Sequence, residues 1–398
     1  MGSTVQSAGP PPPPRDPYTA RVEPVMRRLE RFWQRVSDGM QLNEMWRQFR
    51  ADARSSYQLY SREVDSTWTP GVGRARHFFH LAGQFFWAII LKLTPARRVL
   101  LLVALVFMFG PSGEASWQSS EGGVKILAFD SHFWGALLML MLLVLEVSDR
   151  VVMKRDLQIA KEIQAWLLPA NPPQVPGLEI AFTTRPANTV AGDYYDVFPR
   201  PQSNSSTGTF LIATADVAGK SIPAAMLMAT FQASLKTLAA TAGPLTELVG
   251  RMNTYACSNS QNGRRFTTTF LGEYDPVARA LAYVNAGHNA PILRRATGAI
   301  ERLQTGGIPL GIDENTPYES GTVTLESGDW LVIFTDGVVE AENERAEEYG
   351  EPRLLTMLHA NTALSPAMLL NTMMLDLNRF VGNAPQHDDV TLMLLKAC

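Results

Sequence analysis

Four aspartates occupy positions where a carboxylate can do more than close a turn. Asp193 follows a glycine in Val190-Ala191-Gly192-Asp193-Tyr194-Tyr195-Asp196, and Asp216 ends the apolar run 209–215 and opens the glycine turn Val217-Ala218-Gly219-Lys220. Asp336 sits between the apolar run 331–335 and Gly337, and Asp388, with Asp389 beside it, immediately precedes the run 390–395. A lone aspartate at a strand end is ordinarily a turn former or a helix cap. Four of them at the ends of converging strands repel one another, at a cost in free energy unless a cation compensates. A set of oxygen donors without His or Cys suits hard ions, so the chemistry points to magnesium or manganese rather than zinc. Two such ions can activate a water and hold a phosphoryl oxygen, which is the apparatus of phosphate-ester hydrolysis. Either Asp388 or Asp389 could supply the last carboxylate.

The elements that must bring these residues together are short. β-Branched and aromatic runs predict strands at 178–184, 209–215, 267–274, 281–285, 291–295, 321–325, 330–335 and 390–395. Apolar periodicity predicts helices at 222–240, 245–258, 353–361 and 366–380. Turns as tight as 275–279 make the pairing largely antiparallel, and the helices fall before and after the strand runs. The expectation is a layered α+β domain over residues 177–398, with no internal repeat.

Five motifs, in order, sharpen this reading. They are Gly192-Asp193-Tyr194-Tyr195-Asp196; Asp216-Val217-Ala218-Gly219-Lys220 with Pro223-Ala224-Ala225; Asn285-Ala286-Gly287-His288-Asn289; Thr335-Asp336-Gly337-Val338 with Glu340; and Asp388-Asp389-Val390-Thr391. Together they resemble the SpoIIE-type, or sigma-factor-regulator, branch of the metal-dependent PPM protein serine/threonine phosphatases. Ile163-Gln164-Ala165-Trp166-Leu167-Leu168-Pro169 is similar to that branch's lead-in helix, so the likeness covers about residues 157–396.

The resemblance implies an αββα sandwich of two mainly antiparallel sheets flanked by helices, with two Mn²⁺ or Mg²⁺ ions at one end. It implies that Asp216 bridges the ions, that the Val217 carbonyl completes one of them, that Asp193 ligates the second, and that Asp336 and Asp388 ligate the first. Asp389 stays as an alternative to Asp388. A metal-activated water would then attack phosphorus in line, on phosphoserine or phosphothreonine of a regulatory protein such as an anti-sigma antagonist. Two positions depart from the family pattern, Ala191 and Ser221, each standing where glycine is usual; they bear on turn geometry and not on the ligands. No residue stands out as a phosphate-gripping arginine.

Other residues tempt less. His288 has the chemistry of a general acid for the leaving oxygen, but a histidine bonded to backbone at a glycine turn is the commoner case. His387 reads as a neighbour of the site or as solvent-facing. The run 306–311 has the glycines of a phosphate loop without the helix that would follow one, and so reads as a turn. Met226, Leu227, Met228 and Phe231 are expected in the core, and the charged run 340–351 reads as a flap near the metal end.

Composition accounts for the rest of the chain. Of 398 residues, 46% are hydrophobic and only 18% charged, below the roughly 25% usual in soluble domains, so apolar sequence is concentrated somewhere. It lies between residues 78 and 147. With 35 basic and 38 acidic residues, a net charge of -3 gives no footprint for nucleic acid. The two cysteines, Cys257 and Cys398, exclude a disulfide framework and suggest a reducing compartment. Residues 1–22, with prolines 10–14, are expected to be a disordered tail, and 23–94 an amphipathic helical region.

Residues 95–149 are expected to form a transmembrane hairpin, with spans at about 97–113 and 126–147. Basic residues flank it at Arg97, Arg98, Arg150, Lys154 and Arg155, which places both ends, and the catalytic domain, on the cytoplasmic side of the cytoplasmic membrane. A connector helix over 150–168, stopped by prolines up to residue 176, could pair with a second copy. Two rival functions carry less of the pattern: a partner-binding membrane signalling module without catalysis, and a hydrolase of small phosphoesters.

Overall fold

In the computed structural model, residues 90, 93–111, 113–118, 124–201, 208–241, 243–260 and 265–398 are described. The expected tail and most of the amphipathic region therefore lie outside the described residues. The chain divides into two units, one up to Glu146 and one from Val147 to Cys398.

The first unit holds helix α1 (Pro95–Phe109), the antiparallel hairpin β1 (Gly113–Gln118) and β2 (Val124–Phe129), and the start of helix α2 (Ser131–Leu167). Proline at the first turn suits the start of α1, where its missing amide costs nothing. The two helices approach closely at Gly135, where a Cβ would come within 2.7 Å of the Met108 backbone nitrogen. Arg97 and Glu146 form an ion pair at 3.4 Å.

These elements give no support to the two-span hairpin. Among the described residues no helix is long and apolar enough to cross a membrane. α1 has 15 residues, about 22 Å at 1.5 Å per residue, and the uncharged stretch of α2 from Phe133 to Leu145 is shorter still, against a hydrocarbon core of about 30 Å. The segment taken as the start of the second span is strand β2. α2 continues unbroken to Leu167, as the helical pattern of the connector required.

The second unit is built on two sheets. One runs β3 (Leu178–Arg185), β13 (Val390–Ala397), β12 (Trp330–Phe334), β8 (Ile292–Arg294), β9 (Ile300–Arg302); the other runs β10 (Gly306–Gly307), β7 (Ala280–Ala286), β6 (Thr267–Asp275), β5 (Thr209–Val217), β4 (Tyr194–Arg200), with β11 (Gly321–Thr324) also on β7. All pairings are antiparallel except the two-residue β10–β7 contact. Helices α3 (Ile222–Ala239) and α4 (Leu245–Ser258) precede the middle strands; α5 (Asp336–Val339), α6 (Glu351–Ala360) and α7 (Pro366–Val381) lie between β12 and β13.

Alternation along the strands makes the layers. From β12, Leu331 and Ile333 enter the core between the sheets with Ile212, Phe270, Met393 and Leu395. Trp330, Val332 and Phe334 point the other way, onto Leu354, Leu369 and Met373 of α6 and α7. On β5, Leu211, Ala213 and Ala215 meet Met228, Phe231, Leu248 and Met252 of α3 and α4. Strands buried on both faces read as continuous apolar runs, which is how they were legible in the sequence. The result is helix layer, sheet, sheet, helix layer.

β4 was not expected, because Asp196 and Pro199 interrupt its pattern. It is an edge strand that pairs only with β5, and an edge tolerates a residue without a backbone donor. The glycines 306 and 307 serve contact, not phosphate: a Cβ on Gly306 would fall 1.9 Å from the Asn285 carbonyl oxygen. The run 340–351 forms a loop closed by a bridge between Glu342 and Glu348, followed by α6.

Candidate active site

The five aspartates come from four strand ends. Asp193 precedes β4, Asp216 is the penultimate residue of β5, Asp336 begins α5 after β12, and Asp388 and Asp389 precede β13. Pairing of β4 with β5 and of β12 with β13 brings these ends to one edge of the two sheets. Asp193 is 1% exposed and its carboxyl oxygen Oδ2 accepts from Thr391 Oγ1 at 2.5 Å and Thr335 Oγ1 at 2.9 Å. Asp388 Oδ2 lies 3.0 Å from the Lys220 ammonium, which also donates to the His387 carbonyl at 2.6 Å. Asp389 accepts from the backbone amides of Ala187 and Gly192.

The electrostatics match this crowding. Burial, and then the charges of Asp336, Asp388 and Asp389, push Asp216 up to about 7, and a hydrogen bond with Asp193 opposes them. Burial, and then Asp216, hold Asp193 well above the usual carboxylate range. Asp336 is raised by burial and by Asp388, with Lys220 pulling the other way. Oxygen donors that repel one another and draw in a lysine fit a hard divalent cation in chemistry. The carboxylates are not, however, gathered as a finished cage: among the described residues no three His, Cys, Asp or Glu side chains stand as the ligands of one ion. Asp193, Asp388 and Asp389 are instead turned onto protein partners. Val217 is buried, and its carbonyl oxygen lies 3.2 Å from where a Gly192 Cβ would be.

Several residues of the site stood in the quoted motifs without a role of their own. Thr335 and Thr391 hold Asp193 from β12 and β13; their signal was only their place one residue before Asp336 and two after Asp389. Gln164, buried on α2, donates to the Ala191 carbonyl at 2.7 Å and accepts the Ala191 amide at 2.9 Å, tying α2 to the segment that carries Asp193. Lys220 lines a recess of about 180 Å³ beside Asp388, together with Arg185, Glu340, Glu348 and His387.

His288 lies apart from the recess. It is 7% exposed, its Nδ1 is 3.1 Å from Thr268 Oγ1, and its Nε2 is buried without a partner. Burial drives it down to about 4, so its imidazole is neutral near pH 7 and does not serve as a proton-charged acid there.

The two departures from the glycine pattern differ in cost. Ala191 fits its place under the Gln164 amide. Ser221, at the entry to α3, has φ 64° and ψ −144°, a region that favours glycine. Ser221→Gly is expected to stabilise the protein by about 1 kcal/mol, seen as a higher urea midpoint with an unchanged denaturant slope; a lower midpoint contradicts the strain.

The sequence matches the family described as Stage II sporulation protein E (SpoIIE) over residues 206–397. It is 28% identical over 246 residues to the phosphoserine phosphatase RsbU of Bacillus subtilis, covering 61% of this chain and 70% of that protein. To protein IcfG of Synechocystis it is 27% identical over 275 residues, covering 62% of this chain and 42% of that protein. The chain thus spans less than half the length of that relative. The fold matches the SiaA-PP2C domain of Pseudomonas aeruginosa with a TM-score of 0.54 at 20% identity, over 63% of this chain and 99% of that domain. Motifs, paired sheets and sequence match agree: residues 206–397 match the SpoIIE family, and the C-terminal unit has a PP2C-like fold.

Proposed function

We propose that the chain is a membrane-attached, divalent-cation-dependent phosphatase acting on phosphoserine or phosphothreonine of a regulatory protein. The observation that carries this reading is the meeting of Asp193, Asp216, Asp336 and Asp388 at one sheet edge, where burial and neighbouring carboxylates raise Asp193, Asp216 and Asp336. Asp193, Asp216, Asp336 and Asp388, with the Val217 carbonyl, would hold two Mn²⁺ or Mg²⁺ ions. When bound, such ions activate a water and neutralise phosphoryl oxygens. Thr335 and Thr391 keep the Asp193 carboxyl oriented, and the recess beside Asp388 offers room for the phosphorylated side chain and its neighbours. Likeness to RsbU favours a small phosphorylated regulator, such as an anti-sigma antagonist, as substrate.

Attachment is supported by the apolar residues that the first unit leaves exposed, among them Val99, Val106, Phe109, Leu140 and Leu143. It requires an apolar surface and not a span. The basic flanks favour the cytoplasmic face. The exposed Val152, Ile159, Ile163 and Trp166 of α2 favour pairing of that helix with a second copy. One experiment tests the core of the proposal: cells expressing the full chain are fractionated, and phosphoserine hydrolysis is assayed with Mn²⁺ and with chelator. Activity is expected in the membrane fraction and only with the ion. Activity that survives chelation overturns the metal reading, and recovery wholly in the soluble fraction overturns attachment.

A further inference from the structure

Asp388 and Asp389 are neighbours at the foot of β13, and their carboxylates leave the chain in different directions, as successive residues of an extended segment do. Asp388 forms part of the wall of the recess, with Oδ2 facing Lys220 and Oδ1 accepting the Asp389 amide at 2.9 Å. Asp389 faces the segment 187–193. Its Oδ1 accepts the Ala187 amide at 2.7 Å and its Oδ2 accepts the Gly192 amide at 2.6 Å. Each oxygen of the Asp389 carboxylate thus takes a charge-assisted bond from a backbone donor.

We infer that Asp389 is a positioning residue and not a metal ligand: its carboxylate staples both ends of the 187–193 segment to β13, and so fixes where Asp193 stands beside Asp216. Asp388 is then the carboxylate of the pair that faces the ion. The two hydroxyls of Thr335 and Thr391 orient the Asp193 carboxyl group, while Asp389 holds the backbone from which that carboxyl projects. The staple stands on hydrogen bonds alone, and its consequence for the ion rests on the metal reading proposed above. Asparagine at 389 has the right shape, but its amide nitrogen would present a donor to one of the two amides that now meet an oxygen.

The test compares the full-length parent with Asp389→Asn and Asp388→Asn, by amide hydrogen exchange without metal and by calorimetric Mn²⁺ titration, both well below the thermal transition. For Asp389→Asn, exchange at Ala187 and Gly192 is expected to quicken by about tenfold or more, and Mn²⁺ affinity to weaken about tenfold with the number of ions unchanged. For Asp388→Asn, exchange at those amides is expected to match the parent while one equivalent of Mn²⁺ is lost. Parental exchange in Asp389→Asn overturns the staple. An ion lost from Asp389→Asn and kept by Asp388→Asn overturns the assignment of ligand. A lower thermal midpoint in Asp389→Asn with unmoved Mn²⁺ affinity overturns positioning and leaves a purely structural bond. Should Asp389→Asn fail to fold, open-loop exchange rates at Ala187 and Gly192 in the parent overturn the staple on their own. A parent that binds no Mn²⁺ sinks the metal reading separately, since the exchange data still decide the staple.

Discussion

Asp216→Asn is expected to lower Mn²⁺-dependent phosphoserine hydrolysis by roughly a thousandfold and, without metal, to make the protein more stable at pH 7.5 than its parent. The first effect follows from its place: Asp216 feels Asp193, Asp336, Asp388 and Asp389 together, and it is among the residues proposed to hold the ions. The second follows from its proton. Burial and neighbouring charge hold the folded carboxyl at about 7, against 3.8 for the unfolded chain. Between those values the folded state keeps a proton that the unfolded state has released, so metal-free stability falls as the pH rises through that window, and the loss is complete above it. Asparagine cannot ionise and escapes this loss, a gain on the order of 4 kcal/mol at pH 7.5 that vanishes near pH 4. Urea unfolding of chelator-treated protein at both pH values reads the difference. Equal stability at pH 7.5 would show that the carboxylates do not strain the fold.

Gly337→Ala is expected to damage fold and site together. A Cβ at this position would lie 2.0 Å from the Asp389 carbonyl oxygen and 2.9 Å from its carbon, so backbone and not a flexible side chain would have to move. The strand that must yield begins with Val390 and carries Asp388 and Asp389 at its foot, and Gly337 itself follows Asp336. Crowding of this kind costs about 3 kcal/mol, and displacing a catalytic carboxylate by an ångström costs on the order of a hundredfold in rate. Urea unfolding and Mn²⁺-dependent kinetics check both parts. Parental kinetics at saturating Mn²⁺ would mean that the two strand ends are more pliant than their contact implies.

The elements most legible in the sequence were those whose own residues decide them. The strands over 209–215, 330–335 and 390–395 are nearly continuous apolar runs because each is buried on both faces, and the structure places β5, β12 and β13 there. The connector pattern led into a helix that reaches Leu167. β4 was illegible because its Asp196 and Pro199 have turn chemistry, and only the edge of a sheet lets such a run pair. The apolar stretch before residue 147 was legible only as apolar sequence. Hydropathy counts residues without regard to where a helix ends, whereas β1 and β2 stand between the two helices, and among the described residues no helix is long and apolar enough to cross a membrane.

The sequence by itself determined the chemistry: oxygen donors at strand ends, a near-neutral chain, the order of five motifs and the α+β class. Only the tertiary structure decided how those donors face. Asp388 and Asp389 are indistinguishable in the sequence, since both are carboxylates beside the same strand. Their roles separate when β13 pairs with β12 and β3, because one side chain then meets Lys220 at the recess and the other meets the amides of Ala187 and Gly192. Likewise Gln164 acquires a part in the site only where α2 lies against Ala191. Residue type sets what a group can bind, but direction is a property of the fold, because it depends on partners brought together across long stretches of chain.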